Sequence, residues 1–338
     1  MMKKFSLISL VVVVLIISGC SNGTMNQQPG SSSQKNTDGL EKIRMASWSN
    51  EIVEQSNLYV AEEKGWFENA GIDYEFVPGA GGGEAVKNIV AGNADIAFAN
   101  IEAVLLAIEK GADLKIIYNI YPENVFNLVS LKKSHITSIE DLKGKNIGVY
   151  SLSSGTYQNL QVLLHSVGMK EEDVNIIPTG VLNFAPLMNG KVAATAATDT
   201  GLYDAKQKGL GDVDVMEVKN VLNTPSDVFV VTSDVYEKKQ DALVNFLQVY
   251  KDSTQYMMEH PKEVAKVAIE KAIDGKDEAR NLEIIKIRNK SAENKKELGW
   301  LDLDVVKKVE KTYVELGLLK KSVQIESAVT NDLVEKLK

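Results

Sequence analysis

The chain has 338 residues, 44% of them hydrophobic and 25% charged, with a formal net charge of −8 and a single cysteine. This length supports a sizeable core divided between two lobes. The acidic balance argues against a nucleic-acid partner and against electrostatic attachment to a membrane, and one cysteine leaves no disulfide to form within the chain.

In chain order, Lys3 and Lys4 precede an uncharged apolar run over 5–19. That run is short for a bilayer span, which takes about 20 apolar residues, and fits a secretory signal. The ending Ile17-Ser18-Gly19-Cys20 resembles a bacterial lipobox. The resemblance implies a lipoprotein signal peptide over 1–19, cleaved before a diacylated Cys20 that becomes the lipid anchor; two acyl chains hold where one is marginal. An ordinary signal peptide with a chance cysteine, or a single-span anchor, is the plainer alternative. Residues 20–40 are rich in Ser, Asn, Gln and Gly without apolar periodicity, and read as a disordered tether.

The body alternates strands and helices. "KIRMAS" (42–47) reads as a strand, 53–71 as a helix ending at Gly71, and "IDYEFVP" (72–78) as a strand. Helices over 83–92 and 101–111 alternate with strands over 94–100 and 113–120. The pattern restarts with a strand over 124–131, a one-turn helix near Ser138, a strand over 145–150 and a helix over 155–168. Strand, helix and strand follow over 174–180, 185–191 and 192–198. Further strands span 213–218 and 226–233, and the remainder to Lys338 reads as mostly helical. This order predicts an α/β fold with a parallel sheet flanked by helices. "IVAGNADIAFAN" (89–100) and "LMNGKVAATAATD" (187–199) repeat one scheme of helix end, glycine, small-residue strand and polar turn, as two lobes of similar build would.

Four stretches, "LYVAEEKGWFENAGIDYEFVP", "EAVKNIVAGNADIAFAN", "SHITSIEDLKGKNIGVYSLSSGT" and "SDVFVVTSDVY", occur in an order that resembles the solute-binding proteins of ABC importers. The resemblance covers roughly 42–260 and is nearest to the binders of sulfonates, taurine, nitrate and the thiamine pyrimidine precursor. One departure is Ala193 or Ala194 where the family often has an acidic residue in the second lobe; Asp95 keeps the motif in the first. The resemblance implies a two-lobe periplasmic-binding-protein fold, type II-like, with two crossover strands and the ligand in the cleft between lobes. Lobe one would comprise 41–125 plus 228–338, and lobe two 126–227. It further implies a protein held outside the cytoplasm at the bacterial cell membrane by the acyl groups on Cys20, closing on a small solute and delivering it to an ABC permease and its ATPase. A monomer without cofactor, metal or nucleic acid is expected.

Ligands of parallel α/β sheets bind beyond the carboxyl ends of the strands. That rule selects Ser47, Trp48 and Asn50 after the first strand, Gly79, Ala80 and Gly81 after the second, and Asn100 and Glu102 after the third. In lobe two it selects Ser153, Ser154, Gly155 and Thr156, and then Asp199. "SLSSGT" (151–156) offers hydroxyls and backbone N–H groups at a helix start, suited to an anion, or a plain helix cap. "GAGGG" (79–83) lacks the Lys-Ser/Thr of a phosphate loop and the dinucleotide spacing; its glycines serve a close backbone approach to ligand or a tight turn. Trp48 stacks on a flat ligand or walls the cleft, or is simply core. Glu102 and Asp199 are candidates to accept from an amino or ring N–H, or are solvated loop carboxylates.

These loops hold almost no Lys or Arg, which disfavours a phosphate ligand. A sulfonate held by N–H and hydroxyl groups and a neutral or cationic heterocycle held by Trp48, Glu102 and Asp199 both remain open. The expected function is capture of such a solute for import, without catalysis. Two alternatives stand beside it. One is a surface sensor or adhesin lipoprotein using the same fold without transport. The other, remote, is an enzyme like the eukaryotic thiamine-pyrimidine synthase, which uses a cysteine-rich motif and a histidine; here the only cysteine is Cys20, and His135, His165 and His260 are in no ligand spacing. The charged C-terminal helices read as packing on lobe one with a solvated face.

Overall fold

The computed structural model describes residues 39–180 and 183–338. The expected signal peptide, the expected Cys20 anchor and nearly all of the expected tether lie outside the described residues. Two five-stranded sheets form the frame. The first contains β1 (Glu41–Ala46), β2 (Ile72–Val77), β3 (Ile96–Asn100), β4 (Leu114–Tyr121) and β10 (Asp227–Thr232), in the order β2-β1-β3-β10-β4. The second contains β5 (Phe126–Leu131), β6 (Asn146–Val149), β7 (Asn175–Pro178), β8 (Ala194–Thr198) and β9 (Val213–Glu217), in the order β7-β6-β8-β5-β9.

The expected all-parallel sheets are in fact mixed. β10 runs antiparallel to β3 and β4, and β5 antiparallel to β8 and β9. The reason is the crossing of the chain. β4 leads directly into β5 of the other sheet, and β9 leads back into β10, so each arriving strand enters against its neighbours. This is the α/β two-lobe architecture with two crossovers. The sequence echo is also realised: Gly92 and Gly190 end helices with φ of 74° and 67°, and β3 and β8 hold the same place in the two strand orders. Asp95 of the first lobe is structural, its Oδ2 accepting from the backbone N (2.8 Å) and Nε (3.0 Å) of Arg44. In the second lobe, where Ala193 stands, Asn146 instead donates to the Lys191 carbonyl.

The helices follow the expected order with two differences. The stretch 53–71 is broken into α1 (Ser56–Glu63) and α2 (Trp66–Asn69) because Gly65 turns with φ of 66°. The segment after β8, read only as a loop, begins a helix, α7 (Asp199–Gln207), capped by the Thr198 hydroxyl. Between them lie α3 (Gly82–Val90), α4 (Ile101–Glu109), α5 (Gly155–Ser166) and α6 (Ala185–Met188). The C-terminal part supplies α8 (Ser233–Lys238), α9 (Gln240–Glu259), α10 (Pro261–Lys271), α11 (Glu278–Ala292) and α12 (Leu303–Glu315). α9 seals the first sheet: Phe246 and Tyr250 pack edge-on against Phe229 of β10, with ring centroids 5.3 and 4.7 Å apart. Among the described residues no helix is long and apolar enough to cross a membrane.

Candidate functional site

Every parallel strand of both sheets aims its carboxyl end at one cavity of about 380 Å³, within the usual range for small-molecule sites. After β1 come Trp48 and Asn50, after β2 Gly81 and Gly82, and at the end of β3 Asn100. From the second sheet come Tyr150 and Ser154–Thr156 after β6, Asn183 after β7, and Thr198 and Thr200 after β8. The crossovers add Tyr121, Phe126 and Asp227. Four aromatic residues stand in the walls: Trp48 meets Tyr150 edge-on at 6.5 Å, and Tyr121 and Phe126 line the cavity as well.

Seven of the selected residues, Trp48, Asn50, Gly81, Asn100, Ser154, Gly155 and Thr156, line this cavity. The other six stand elsewhere. Ser47 is fully buried, bonded to the Gln55 amide at 2.9 Å. Gly79 and Ala80 sit at the rim, where the Ala80 carbonyl accepts from the Ser151 and Ser153 hydroxyls across the cleft (2.5 and 3.1 Å). Ser153 is therefore a lobe-to-lobe contact. The Gly83 N–H donates to the Ser153 carbonyl at 2.9 Å, and a Cβ at Gly81, whose φ is 134°, would lie 2.7 Å from that oxygen. The glycines of "GAGGG" thus admit the facing loop of the other lobe, a use that neither expected reading of them included.

Glu102 is no solvated loop carboxylate. It is completely buried behind Asn100, accepting from the Asn100 and Asn159 side chains at 2.7 and 3.0 Å. Burial, against those two hydrogen bonds, pushes it up to about 7. Asp199 is likewise engaged, its Oδ1 lying 2.9 Å from Arg288 Nη1.

The hydroxyls of "SLSSGT" are already engaged, those of Ser151 and Ser153 with the Ala80 carbonyl and those of Ser154 and Thr156 within the loop. Ser154 Oγ lies 2.6 Å from the Ser151 carbonyl and accepts from the Tyr157 N–H, while Thr156 Oγ1 accepts from the Tyr150 N–H at 2.9 Å. The cap reading of Ser154 accounts for its geometry, and the loop's hydroxyls offer little to an anion.

The largest omission of sequence reasoning is α11. The Asp277 side chain caps it through the Arg280 N–H at 3.0 Å. Counting from there, Arg280, Ile284 and Arg288 recur every fourth residue on one helix face, and all three line the cavity. The C-terminal charges are therefore not wholly solvated. Arg288, 1% exposed, donates through Nε to Glu54 (2.7 Å) and through Nη2 to Thr200 (2.8 Å). Burial opposes its charge, but Asp199 and Glu54 outweigh that and raise its pKa above the ordinary value. Arg280 pairs with Asp204 of α7 and with Asp274 (2.9 Å). Burial alone would raise Asp204; Lys208 and Arg280 hold it below its usual value.

The lining thus carries four carboxylates, Glu54, Asp204, Asp227 and Asp274, against Lys208, Arg280 and Arg288. Both arginines are paired with carboxylates, and Lys208 lies 2.6 Å from Asp204. Asp227 is 7% exposed, and burial, opposed by Arg288 and aided by Glu102 and Glu54, pushes it up to about 7. Two buried polar atoms of wall residues have no partner, the Trp48 Nε1 donor and the Asn100 Oδ1 acceptor, the latter packed against Gly82. Among the described residues no three His, Cys, Asp or Glu side chains are grouped as a metal site requires.

Comparison with known proteins agrees with this architecture. The chain is 27% identical over 212 residues to a putative thiamine biosynthesis protein of Haemophilus influenzae, covering 61% of this chain and 66% of that one. It is 22% identical over 350 residues to a protein of Chloroflexus aurantiacus named as the riboflavin-binding protein RibY, covering 98% and 99% of the two chains. Among solved structures, the alkanesulfonate-binding protein SsuA of Xanthomonas axonopodis shares the fold with a TM-score of 0.67 at 18% identity, over 86% of this chain and 98% of that one. Residues 53–264 match the family model described as NMT1/THI5 like, and the chain belongs to the NMT1/THI5-like family.

Proposed function

We propose that this protein is the extracytoplasmic solute-binding component of an ABC importer, and that its solute is a flat, neutral or cationic heteroaromatic molecule. The observation that carries the reading is the cavity wall: four aromatic residues and a lining in which carboxylates outnumber cations, each cation already close to a carboxylate. A sulfonate or nitrate would meet no free cation there. It would have to displace Asp199 or Glu54 from Arg288, at the cost of leaving a carboxylate unpaired in a desolvated site. A heteroaromatic ring loses nothing of this kind and gains stacking area on Trp48 and Tyr121. The riboflavin-binding relative supports the same class. The lobes close over the ring, the permease takes the closed form, and the acyl groups on Cys20 keep the protein beside that permease.

The test is thermal stability against riboflavin, aminopyrimidines, thiamine, taurine, alkanesulfonates and nitrate. A ligand at a hundred times its Kd adds about 2.7 kcal/mol to the folded state. Stabilisation by one heteroaromatic compound and by none of the anions is expected; stabilisation by a sulfonate or nitrate alone overturns the ligand class. Labelled palmitate incorporated into the wild-type chain and absent from Cys20→Ala would establish the anchor.

A further inference from the structure

Three of the four carboxylates in the cavity wall are already met by protein donors. Glu54 accepts from Thr200 and Arg288 at 2.6 and 2.7 Å. Asp204 pairs with Lys208 and Arg280, and Asp274 with Arg280 and the Val53 N–H, both at 2.9 Å. Asp227 is different. It opens β10 opposite Asn100 of β3 and Tyr121 of β4, so this antiparallel strand brings its start to the cavity. It is 7% exposed, and among the described residues no lysine or arginine pairs with it and no backbone N–H donates to it. Arg288, the cation whose charge it feels most, is committed to Glu54, Thr200, Ser291 and Asp199. The Ser226 hydroxyl is the weakest of the groups acting on its charge and itself meets no partner at hydrogen-bond distance. Unlike Trp48 Nε1 and Asn100 Oδ1, the Asp227 oxygens are not sealed off, and the cavity it lines is where they are reached. A buried carboxylate without a partner is costly.

We propose that Asp227 selects the solute, by a two-point hydrogen-bonded pair between its carboxyl group and an amidine edge, that is, a basic ring nitrogen beside an amino group. This rests on the heteroaromatic reading of the cavity and narrows it to basic, amino-substituted rings. One proton is shared in the pair. Either the acid keeps it and donates to the ring nitrogen, or the ring carries it and donates to the carboxylate; the amino N–H donates to the other oxygen in both cases. An imide edge such as a flavin's, an N–H flanked by carbonyls, fits only the protonated acid.

The shared proton sets a pH dependence. Burial pushes Asp227 up to about 7, with Arg288 opposing and Glu102 and Glu54 adding to it. When acid and base are both protonated, the carboxyl O–H meets a ring N–H; when both are bare, the carboxylate meets a ring lone pair. Affinity therefore passes through a maximum and falls on either side. The charged and titratable groups facing Asp227 are Arg288 on α11, Glu102 on α4, Glu54 ahead of α1, Tyr121 on β4 and Tyr250 on α9. Glu102 is also pushed up to about 7, but it does not line the cavity, and the variants below tell the two apart.

Calorimetry between pH 5 and pH 9 tests this with 4-amino-2-methylpyrimidine, with 2,4-dimethylpyrimidine, which has the same shape without the amino donor, and with riboflavin. The wild type should prefer the amino compound at least tenfold near pH 7, and bind it at least tenfold more weakly at pH 9. Asp227→Leu, which removes both oxygens, should lose the preference. Asp227→Asn can still face a neutral amidine edge with one donor and one acceptor, so it should keep the preference and lose the alkaline fall. Both variants remove an unpartnered buried carboxylate and should melt no lower than the wild type at pH 8; if one does not fold, the other decides. An unchanged preference in Asp227→Leu, or an alkaline fall that persists in Asp227→Asn, overturns the proposal. If riboflavin binds and neither pyrimidine does, the proposal falls while the heteroaromatic reading stands. If sulfonates or nitrate alone bind, both fall.

Discussion

Arg288 Nη1 and Asp199 Oδ1 lie 2.9 Å apart, an ion pair between the C-terminal helix α11 and the first turn of α7. The same guanidinium holds Glu54 of the first lobe, so one cation bridges carboxylates on opposite sides of the cleft. Replacing Arg288 by Met leaves both carboxylates without their counter-charge. Breaking a buried pair costs about 3–5 kcal/mol. The lower end applies here, because Asp199 is 38% exposed and regains water when the lobes part. The variant is expected to melt lower and to have a larger radius of gyration by small-angle X-ray scattering. An unchanged radius would mean that the bridge does not hold the lobes.

The rim contact depends on the absence of a side chain at Gly81. Alanine there meets the Ser153 carbonyl and hydroxyl at 2.7 Å and must adopt a φ of 134° that L residues rarely take. Gly81→Ala should hold the loops apart, weakening ligand binding at least tenfold with a smaller effect on the melting temperature of the ligand-free protein. Ser151→Ala, which removes a donor to Ala80 without adding bulk, should mainly speed ligand release, read by stopped-flow fluorescence.

Trp48 contributes a wall and an unpartnered Nε1 donor. Trp48→Phe keeps most of the wall and removes the donor. Because that N–H is buried, Trp48→Phe should change Kd little. Trp48→Ala removes the ring as well and should cost about 3 kcal/mol. Equal losses in the two variants would show that the donor, not the ring, matters.

Glu102 and Asp227 are both pushed up to about 7, above their values in an unfolded chain. The folded protein therefore binds these protons more tightly than the unfolded one. The stability they contribute is fully present below the ordinary carboxylate range and is lost as pH rises toward 7. Asp95, Asp204 and Glu310 are shifted the other way, and their contribution is lost as pH falls below the ordinary carboxylate range. A stability maximum near pH 5 is expected, with melting temperatures falling between pH 5.5 and 8. Asp227→Asn should flatten that fall; an unaltered slope would mean that other groups set it.

Much of this was legible in the chain. The strands announced themselves by β-branched and small residues between glycines, and the rule of carboxyl ends led to Trp48, Asn100 and Ser154. What failed was anything depending on contacts distant in sequence. Glu54 and Arg288 are 234 positions apart, and α11 carries too many charges to show an apolar stripe. Its one signal was the four-residue recurrence of Arg280, Ile284 and Arg288. Glu102 could be located but not characterised, because nothing local reveals that Asn159 of another helix would take its second oxygen. The antiparallel strands were missed for a related reason: strand direction follows from which sheet the chain has just left.

That crossing has a consequence for how the chain folds. β10 lies between β3 and β4, although 105 residues separate the end of β4 from its start. The second sheet is built from consecutive strands over 126–217 and needs nothing from beyond them. The first sheet keeps a gap at its fourth position until residue 227 emerges, and closing it pairs distant segments, which is slow. During synthesis the first lobe is begun first and finished last, with its half-built sheet exposing unpaired edges on which misassembly and chaperone capture act.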